Sequence, residues 1–175
     1  MLSLLIQPAE PTGNVKKANR PRYWITYLLK DLAVGESFKP DVLHLTIIPW
    51  FVTELSDDKV IEAFEREFSK TAKFEVAVGR RDVFANKRKI SINLIEPSQD
   101  LKSLHAKALQ WFGEIEARWA VKNPHIDNEF IPHIRRRVGH NVTEGEKNMV
   151  SSLSLVRAYR RGGDLRTVAS KVALR

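Results

Sequence analysis

The chain has 175 residues, enough for one domain or for two small lobes packed together. Hydrophobic residues make up 43% and charged residues 29%, and no apolar run approaches the roughly 20 residues of a membrane-spanning helix. Composition therefore excludes a disordered tail and a helical membrane protein. The absence of cysteine excludes disulfides, thiolate nucleophiles and zinc sites built on sulfur. The net charge of +8 favours an anionic partner, nucleic acid first.

The first residues predict an irregular arm. Residues 1–6 are apolar but too few for the core of a signal peptide, and no basic stretch precedes them, so we predict a cytoplasmic location. Residues 7–21 contain three prolines, a glycine and a basic cluster. We therefore predict an N-terminal arm over residues 1–21 and a single domain over residues 22–175.

Hydrophobic periodicity predicts short strands and two helices in the domain. In the first part of the chain we expect strands at 23–29 and 42–48, the latter stopped by Pro49, a helix within 57–70 capped by Ser56, and strands at 73–79 and 89–95 with one buried face each. In the second part we expect a helix whose apolar stripe runs from Leu101 to Trp119, an extended segment at 130–135, and strands at 150–160 and 165–174 around a turn at 162–164. This order predicts an α+β domain.

A histidine and a threonine share one face of the second predicted strand. Side chains alternate across a strand, so His44 and Thr46 point one way while Leu43 and Leu45 point the other. An imidazole beside a hydroxyl can move a proton while the hydroxyl binds a phosphate oxygen. A single His-x-Thr tripeptide is nevertheless common, and a strand histidine bonded to nearby backbone is its ordinary interpretation.

A second histidine strengthens the catalytic interpretation. His133 follows an apolar strand entry 89 positions after His44, and Arg135 lies two residues beyond it, where its guanidinium can bind phosphate. Hydrolysis of a phosphodiester needs one group that takes a proton from water and another that gives one to the leaving oxygen. Two imidazoles can do both without a metal ion, and we predict no metal ligands in this chain.

These motifs resemble those of the two-histidine (2H) phosphoesterases, within them the RNA 2′,3′-cyclic phosphodiesterase or 2′-5′ RNA ligase-like family. The resemblance rests on His44-Leu-Thr46 and His133-Ile-Arg135, on the loop from Phe84 to Ile90, and on residues 156–159 followed by Gly162 and Gly163. It covers residues 22–174 and implies two pseudo-symmetric lobes of small antiparallel sheets, with helices outside and a central cleft. It also implies no cofactor.

The resemblance implies opening of a 2′,3′-cyclic phosphate at an RNA or oligonucleotide end, leaving a 2′-phosphate, with reversible 2′-5′ ligation as a related activity. As a hypothesis, His44 is the acid and His133 the base, while Thr46 and Arg135 hold the non-bridging oxygens. The expected partner is RNA or an oligonucleotide with a cyclic phosphate end, with no membrane, and the expected state is a monomer. The alternatives are a 2H enzyme for another cyclic or 2′-5′-linked nucleotide, and a catalytically weakened RNA-binding module.

One position departs from the family pattern. The second motif of the family ends in Thr or Ser, whereas this chain has Arg135, a long and permanently charged side chain. Arg135 either reaches the phosphate and binds it bidentately, or points outward and leaves His133 without a partner. We favour contact with the phosphate. Arg136, by contrast, is expected to be a solvated residue at a basic strand end, and His105 a boundary residue of the second helix.

Overall fold

The computed structural model describes residues 20–84, 89–121, 130–137, 139–159 and 165–175. The N-terminal arm up to residue 19 and the predicted turn at 162–164 lie outside the described residues, as does most of the 84–90 loop. The first strand starts at Pro21, two residues before the predicted strand at 23–29. Within the described residues no helix is both long and apolar enough to cross a membrane.

Antiparallel pairing joins the described strands into one large sheet. The strands are β1 Pro21–Leu28, β2 Ser37–Phe38, β3 His44–Val52, β4 Phe74–Phe84, β5 Ile90–Ile95, β6 Arg118–Trp119, β7 His133–Arg135, β8 Lys147–Val150, β9 Ser152–Tyr159 and β10 Arg166–Ala173. Their order is β2-β10-β9-β1-β3-β7-β5-β4-β8, with β6 paired to β3. Half of the sheet, from β2 to β3, is built from both ends of the domain, and the other half from its middle. The predicted α+β class is confirmed, and the two halves meet where β3 pairs with β7.

Two helices cover one face of this sheet. Helix α1, Asp57–Phe68, packs against β9 and β10, and helix α2, Gln99–Glu114, packs against β3. Their apolar faces and the sheet enclose the main core, which includes Phe51, Phe64 and Trp111. Burial of this apolar surface is the main source of stability expected for such a layer. The opposite face of the sheet is left for the candidate site.

Strand β3 continues to Val52, so the prediction that Pro49 stops it is wrong. The pairing register between β1 and β3 shifts between Tyr23, opposite Phe51, and Ile25, opposite Ile48. This irregularity accommodates Pro49, which has no N–H to donate to a sheet ladder. It also interrupts the alternation of side chains locally, because Ile47 and Ile48 are adjacent and both fully buried, and the alternation resumes in its original phase, with Phe51 in the main core.

Helix α2 ends at Glu114, so the predicted continuation to Trp119 is also wrong. Glu116 has a positive φ of 49°, which an α-helix does not tolerate, and the chain then pairs with β3 through β6. Trp119 nevertheless packs, with its ring stacked 4.0 Å from that of Phe112. The apolar stripe therefore predicted burial correctly but attributed it to the wrong backbone conformation.

Strand β5 is buried on both faces at its centre, whereas one buried face was predicted. Ile92 is 1% exposed and its neighbour Asn93 is fully buried. The Asn93 side chain donates to the Gly79 carbonyl at 3.3 Å and accepts from Arg136 at 3.2 Å. These hydrogen bonds allow a polar residue to face the core. The predicted starts of both helices agree with the structure, including Ser98, whose side chain accepts from the Leu101 N–H at the start of α2. The strand predicted at 150–160 begins at Ser152, because Val150 ends β8.

Candidate active site

The pairing of β3 with β7 brings the two sequence motifs together. Leu45 lies opposite Ile134, and both side chains enter the main core. Alternation then places His44, Thr46, His133 and Arg135 on the other face of the sheet. His44 and His133 are diagonal neighbours in this register, and the Cα atoms of such neighbours lie about 7–8 Å apart. The motifs therefore form one site across two adjacent strands.

Each histidine ring is fixed by the same hydrogen bond. Nδ1 of His44 lies 2.7 Å from the carbonyl oxygen of Val42, and Nδ1 of His133 lies 2.8 Å from that of Ile131. A carbonyl oxygen only accepts, so in both rings Nδ1 carries the hydrogen and donates it. In the neutral form of each ring Nε2 is then the basic nitrogen. The site thus holds two imidazoles in the same tautomer and for the same structural reason, a carbonyl two residues earlier.

An aromatic side chain from a neighbouring part of the sheet packs against each imidazole. The ring of Trp24, on β1, lies 5.0 Å from that of His44. The ring of Phe84, at the end of β4, lies 4.7 Å from that of His133 in an edge-to-face arrangement. These contacts restrict rotation of the rings about χ1 and χ2. The sequence motifs identified the histidines but carried no signal for these supporting aromatics.

Trp24 belongs to a second, smaller core on the same face of the sheet as the site. Its other buried members are Leu28, Leu32, Phe38, Val156 and Val168, with Val42 and Trp50 packed at its edge. This cluster brings apolar surface against one side of His44. The burial, followed by the positive charges of Arg166, His133 and Arg137, lowers the pKa of His44 from its ordinary 6.5 to about 4, while the hydrogen bond to Val42 opposes that change. His44 is therefore neutral at pH 7.

Thr46 and Arg135 lie beside the histidines as the motifs predicted. By continuation of the β3–β7 register, Thr46 faces His133 and Arg135 faces His44. Thr46 is half-buried and Arg135 is exposed. A hydroxyl and a guanidinium at these positions can both donate to an oxygen of a group bound between the two imidazoles.

Arg137 is a third residue of this face that sequence reasoning left unassigned. It follows His133 and Arg135 at the same two-residue spacing, and its guanidinium donates to the Pro40 carbonyl at 2.6 Å, across from the other half of the sheet. Burial, and next the charge of Arg135, lower the pKa of Arg137, while Asp41 opposes the change. It remains a cation at neutral pH, because an arginine side chain loses its proton only in strongly basic solution. The spacing His133-x-Arg135-x-Arg137 was the available signal.

Two basic residues of the strands around the site lie on the core side of the sheet. Arg136 is half-buried on the core side of β7, where it donates to the buried Asn93, so the expected solvated strand end is wrong for this residue. Arg157 faces the helices and pairs with Asp57 at the start of α1, which also accepts from the buried Tyr23. Both side chains therefore stabilise the fold rather than line the site.

The remaining histidines are distributed as follows. His105 is 4% exposed, with Nδ1 2.8 Å from the Ile47 carbonyl and its ring stacked 3.8 Å from that of Phe130, so it is a buried residue rather than the expected boundary residue. His140 is exposed, and His125 lies outside the described residues together with Asp127 and Glu129. Among the described residues no cluster of three or more His, Asp or Glu side chains is arranged to hold a metal ion.

Comparison with known proteins gives one family and a set of similar structures. A family model described as the 2′-5′ RNA ligase superfamily matches residues 30–161. No curated protein is significantly similar to the chain. Similar solved structures include TT0787 of Thermus thermophilus (18% identity, 88% of this chain and 98% of that one, TM-score 0.61) and E. coli LigT complexed with NADP+ (17% identity, 89% and 98%, TM-score 0.55). A structure titled phosphoesterase matches at 16% identity over 89% and 98%, with a TM-score of 0.57. At these identities the structural likenesses show a shared fold.

Proposed function

Because the chain belongs to the 2′-5′ RNA ligase superfamily of 2H phosphoesterases, we propose that its cleft opens a 2′,3′-cyclic phosphate at the end of an RNA or oligonucleotide strand. The observation that carries this proposal is the pair of imidazoles on β3 and β7. Both share one face of the sheet, and each is held with Nδ1 as a hydrogen donor. Such a pair supplies a base and an acid at one phosphate without requiring a metal ion.

In the proposed reaction, water attacks the cyclic phosphorus and the bond from phosphorus to O3′ breaks. One imidazole takes a proton from the water, and the other gives a proton to O3′ as it leaves. The products are a terminal 2′-phosphate and a free 3′-hydroxyl, and the two histidines exchange protonation states over the turn. Thr46 and Arg135 hold the non-bridging oxygens, where their donors stabilise developing negative charge.

The surroundings of His44 support a division of these roles opposite to the one expected from the motifs. Its lowered pKa keeps it neutral at pH 7, and a neutral imidazole accepts a proton. We therefore propose that His44 activates the water and that His133 protonates O3′. With His44 as the base, the part of kcat/KM that depends on His44 should fall only as the pH drops below about 4, where its ring takes up a proton.

The test incubates the full-length protein with a dinucleotide ending in a 2′,3′-cyclic phosphate, with EDTA present. The control is the same protein with both His44 and His133 replaced by Ala. We expect ring opening by the unsubstituted protein alone, and ³¹P NMR should identify a 2′-phosphate product. Absence of turnover together with salt-dependent binding of the oligonucleotide would reject the enzyme and favour the weakened RNA-binding module. Turnover of 2′-5′-linked or other cyclic nucleotides alone would favour a different 2H substrate.

The exposed Arg135 is the observation that keeps the binding module as second candidate. A compact hydroxyl at this position is confined near the phosphate, whereas an exposed guanidinium can also turn toward solvent. Reverse ligation, a monomeric state and a cytoplasmic location remain predictions. Gel filtration of the purified protein tests the oligomeric state.

A further inference from the structure

A group of arginine and tryptophan side chains extends from the His44 side of the site. Trp50, on β3, packs edge-to-face on Trp24, with 4.5 Å between ring centroids. The guanidinium of Arg22, on β1, lies 5.3 Å from the centre of the Trp50 ring. The guanidinium of Arg166, on β10, lies 5.7 Å from the same ring and 4.5 Å from Trp24. Two cations therefore converge on one tryptophan, and Trp24 connects them to His44.

The sheet register explains why the two guanidinium groups converge. Arg22 lies opposite Ala158 on β9, and continuation of the β9–β10 register places Arg166 on the other side of Ala158. Adjacent strands are about 5 Å apart, so the two arginine backbones are about 10 Å apart. The methyl group of Ala158 is short and buried, so it does not keep the long side chains of Arg22 and Arg166 apart, and their guanidinium groups meet at Trp50.

Among the residues that the structure describes, no carboxylate neutralises the charge of Arg22. Other basic residues of this half of the domain have acidic partners, since Arg20 pairs with Glu54, Arg157 with Asp57 and Lys171 with Asp31. Within the described residues Arg22 forms no ion pair, and its guanidinium contacts the Trp50 ring. A cation held over a ring keeps its charge and its in-plane N–H donors available to an anion.

We propose that Arg22, Trp50 and Arg166 form a second phosphate subsite, which binds the backbone of the strand upstream of the cyclic phosphate. This inference rests on the proposed function and specifies its substrate. The guanidinium groups contact the phosphodiester. Trp50 positions these groups and does not stack on a base, because the two arginine side chains already lie against its ring. The cyclic phosphate binds between His44 and His133, and the upstream nucleotides of the RNA continue across β1 toward β10. A cyclic mononucleotide then fills only part of the site.

The experiment compares kcat/KM for adenosine 2′,3′-cyclic phosphate with kcat/KM for the dinucleotide ApA and the trinucleotide ApApA, each ending in a 2′,3′-cyclic phosphate. The same two oligomers are also tested with neutral methylphosphonate groups in place of the linking phosphates. We expect the natural oligomers to exceed the mononucleotide by about tenfold, as for one charge-assisted contact, and the neutral oligomers to lose this gain. Arg22→Gln should abolish most of the difference. Arg80→Gln is the matched control, because Arg80 is exposed on β4 and lies near Asp82 instead.

The outcomes separate this inference from the proposed function. Equal kcat/KM for all three lengths would overturn the subsite while leaving the cyclic phosphodiesterase intact. A gain retained by the methylphosphonate oligomers would also overturn it, because base stacking would then explain the preference. If no substrate turns over, salt-dependent binding of a 3′-phosphorylated trinucleotide still tests it. Arg22→Gln should weaken that binding about tenfold and reduce the slope of log K against log salt by about 0.7, and an unchanged slope would overturn the subsite.

Discussion

The two histidine rings are held by the same kind of hydrogen bond, but their surroundings differ. Each donates from Nδ1 to the carbonyl of the residue two positions earlier, and each packs on one aromatic ring. His44 belongs to a nine-residue strand and lies beside the second core. His133 belongs to a three-residue strand and follows the exposed Ile131. The hydrogen bond from Nδ1, which both histidines form, sets the tautomer of both rings.

The difference in surroundings supports the proposed division of the two chemical roles. The apolar cluster around Trp24 opposes a charge on His44, and the neighbouring arginines act in the same direction. A tripeptide motif contains none of this information, because the cluster comes from β1, β9 and β10. Pairs of titratable groups whose surroundings separate their pKa values are typical of acid–base catalysis. The following predictions test whether the two halves of the site differ in this way.

Removal of either imidazole should cause the largest effect. His44→Ala and His133→Ala should each lower kcat by about a thousandfold, because each deletes one proton transfer in the transition state. The double variant should be little worse than either single one, since the groups act as a unit. The measurement is ring opening of the cyclic dinucleotide under EDTA. His140→Ala, which removes an exposed histidine, is the control, and either site variant retaining a tenth of the activity would contradict the assignment.

Acidification should destabilise the protein through His44. Its pKa is about 4 when folded and near 6.5 when unfolded, so between these values the unfolded chain binds more protons. Stability is therefore fully present above pH 6.5 and falls as the pH drops to 4. The loss due to this group should be about 3 kcal/mol.

Urea unfolding at pH 7 and at pH 4.5 measures this loss. His44→Asn removes the titrating group while keeping a donor for the Val42 carbonyl, so the difference between the two pH values should shrink by about 2 kcal/mol or more. The exposed His140 supplies the matched control as His140→Asn. An unchanged difference in His44→Asn would show that His44 is not buried as a neutral ring. The lowered pKa would then no longer support its role as the base.

Local patterns predicted the part of the site that depends on alternation along a strand. His44 and Thr46 share a face because Leu45 and Ile47 enter the core, and this follows from a period of two residues. The continuation of β3 beyond Pro49 could not be predicted, because a proline in an extended run normally indicates the end of a strand. The alternation is interrupted only locally, and Trp50 again lies on the face of His44, where it packs on Trp24. The contact of Arg22 with Trp50 depends on the pairing of β1 with β3, which periodicity along one strand could not identify.

Partners from distant strands account for the other misassignments. Arg136 carries a full charge in a basic run, which predicts solvent exposure, but the buried Asn93 of β5 provides an acceptor on the core side. His105 likewise finds the Ile47 carbonyl of β3. Both acceptors lie far away along the chain from the residues that donate to them, so hydrophobic periodicity could not identify them. Both contacts hold β7 and β3, the strands that carry His133 and His44.

The smallest expected effect distinguishes the two interpretations of Arg135. If Arg135 holds the phosphate next to His133, Arg135→Ala should raise KM about tenfold through loss of one charge-assisted contact. Arg135→Thr should restore part of that loss, because a hydroxyl at this position can also donate to an oxygen. Arg118→Ala is the control, since Arg118 is exposed and pairs with Glu54 at 2.6 Å instead. An Arg135→Ala variant equal to this control would show that Arg135 points outward. A large gain in kcat for Arg135→Thr would then show that the departure from the family motif weakened the His133 half of the site.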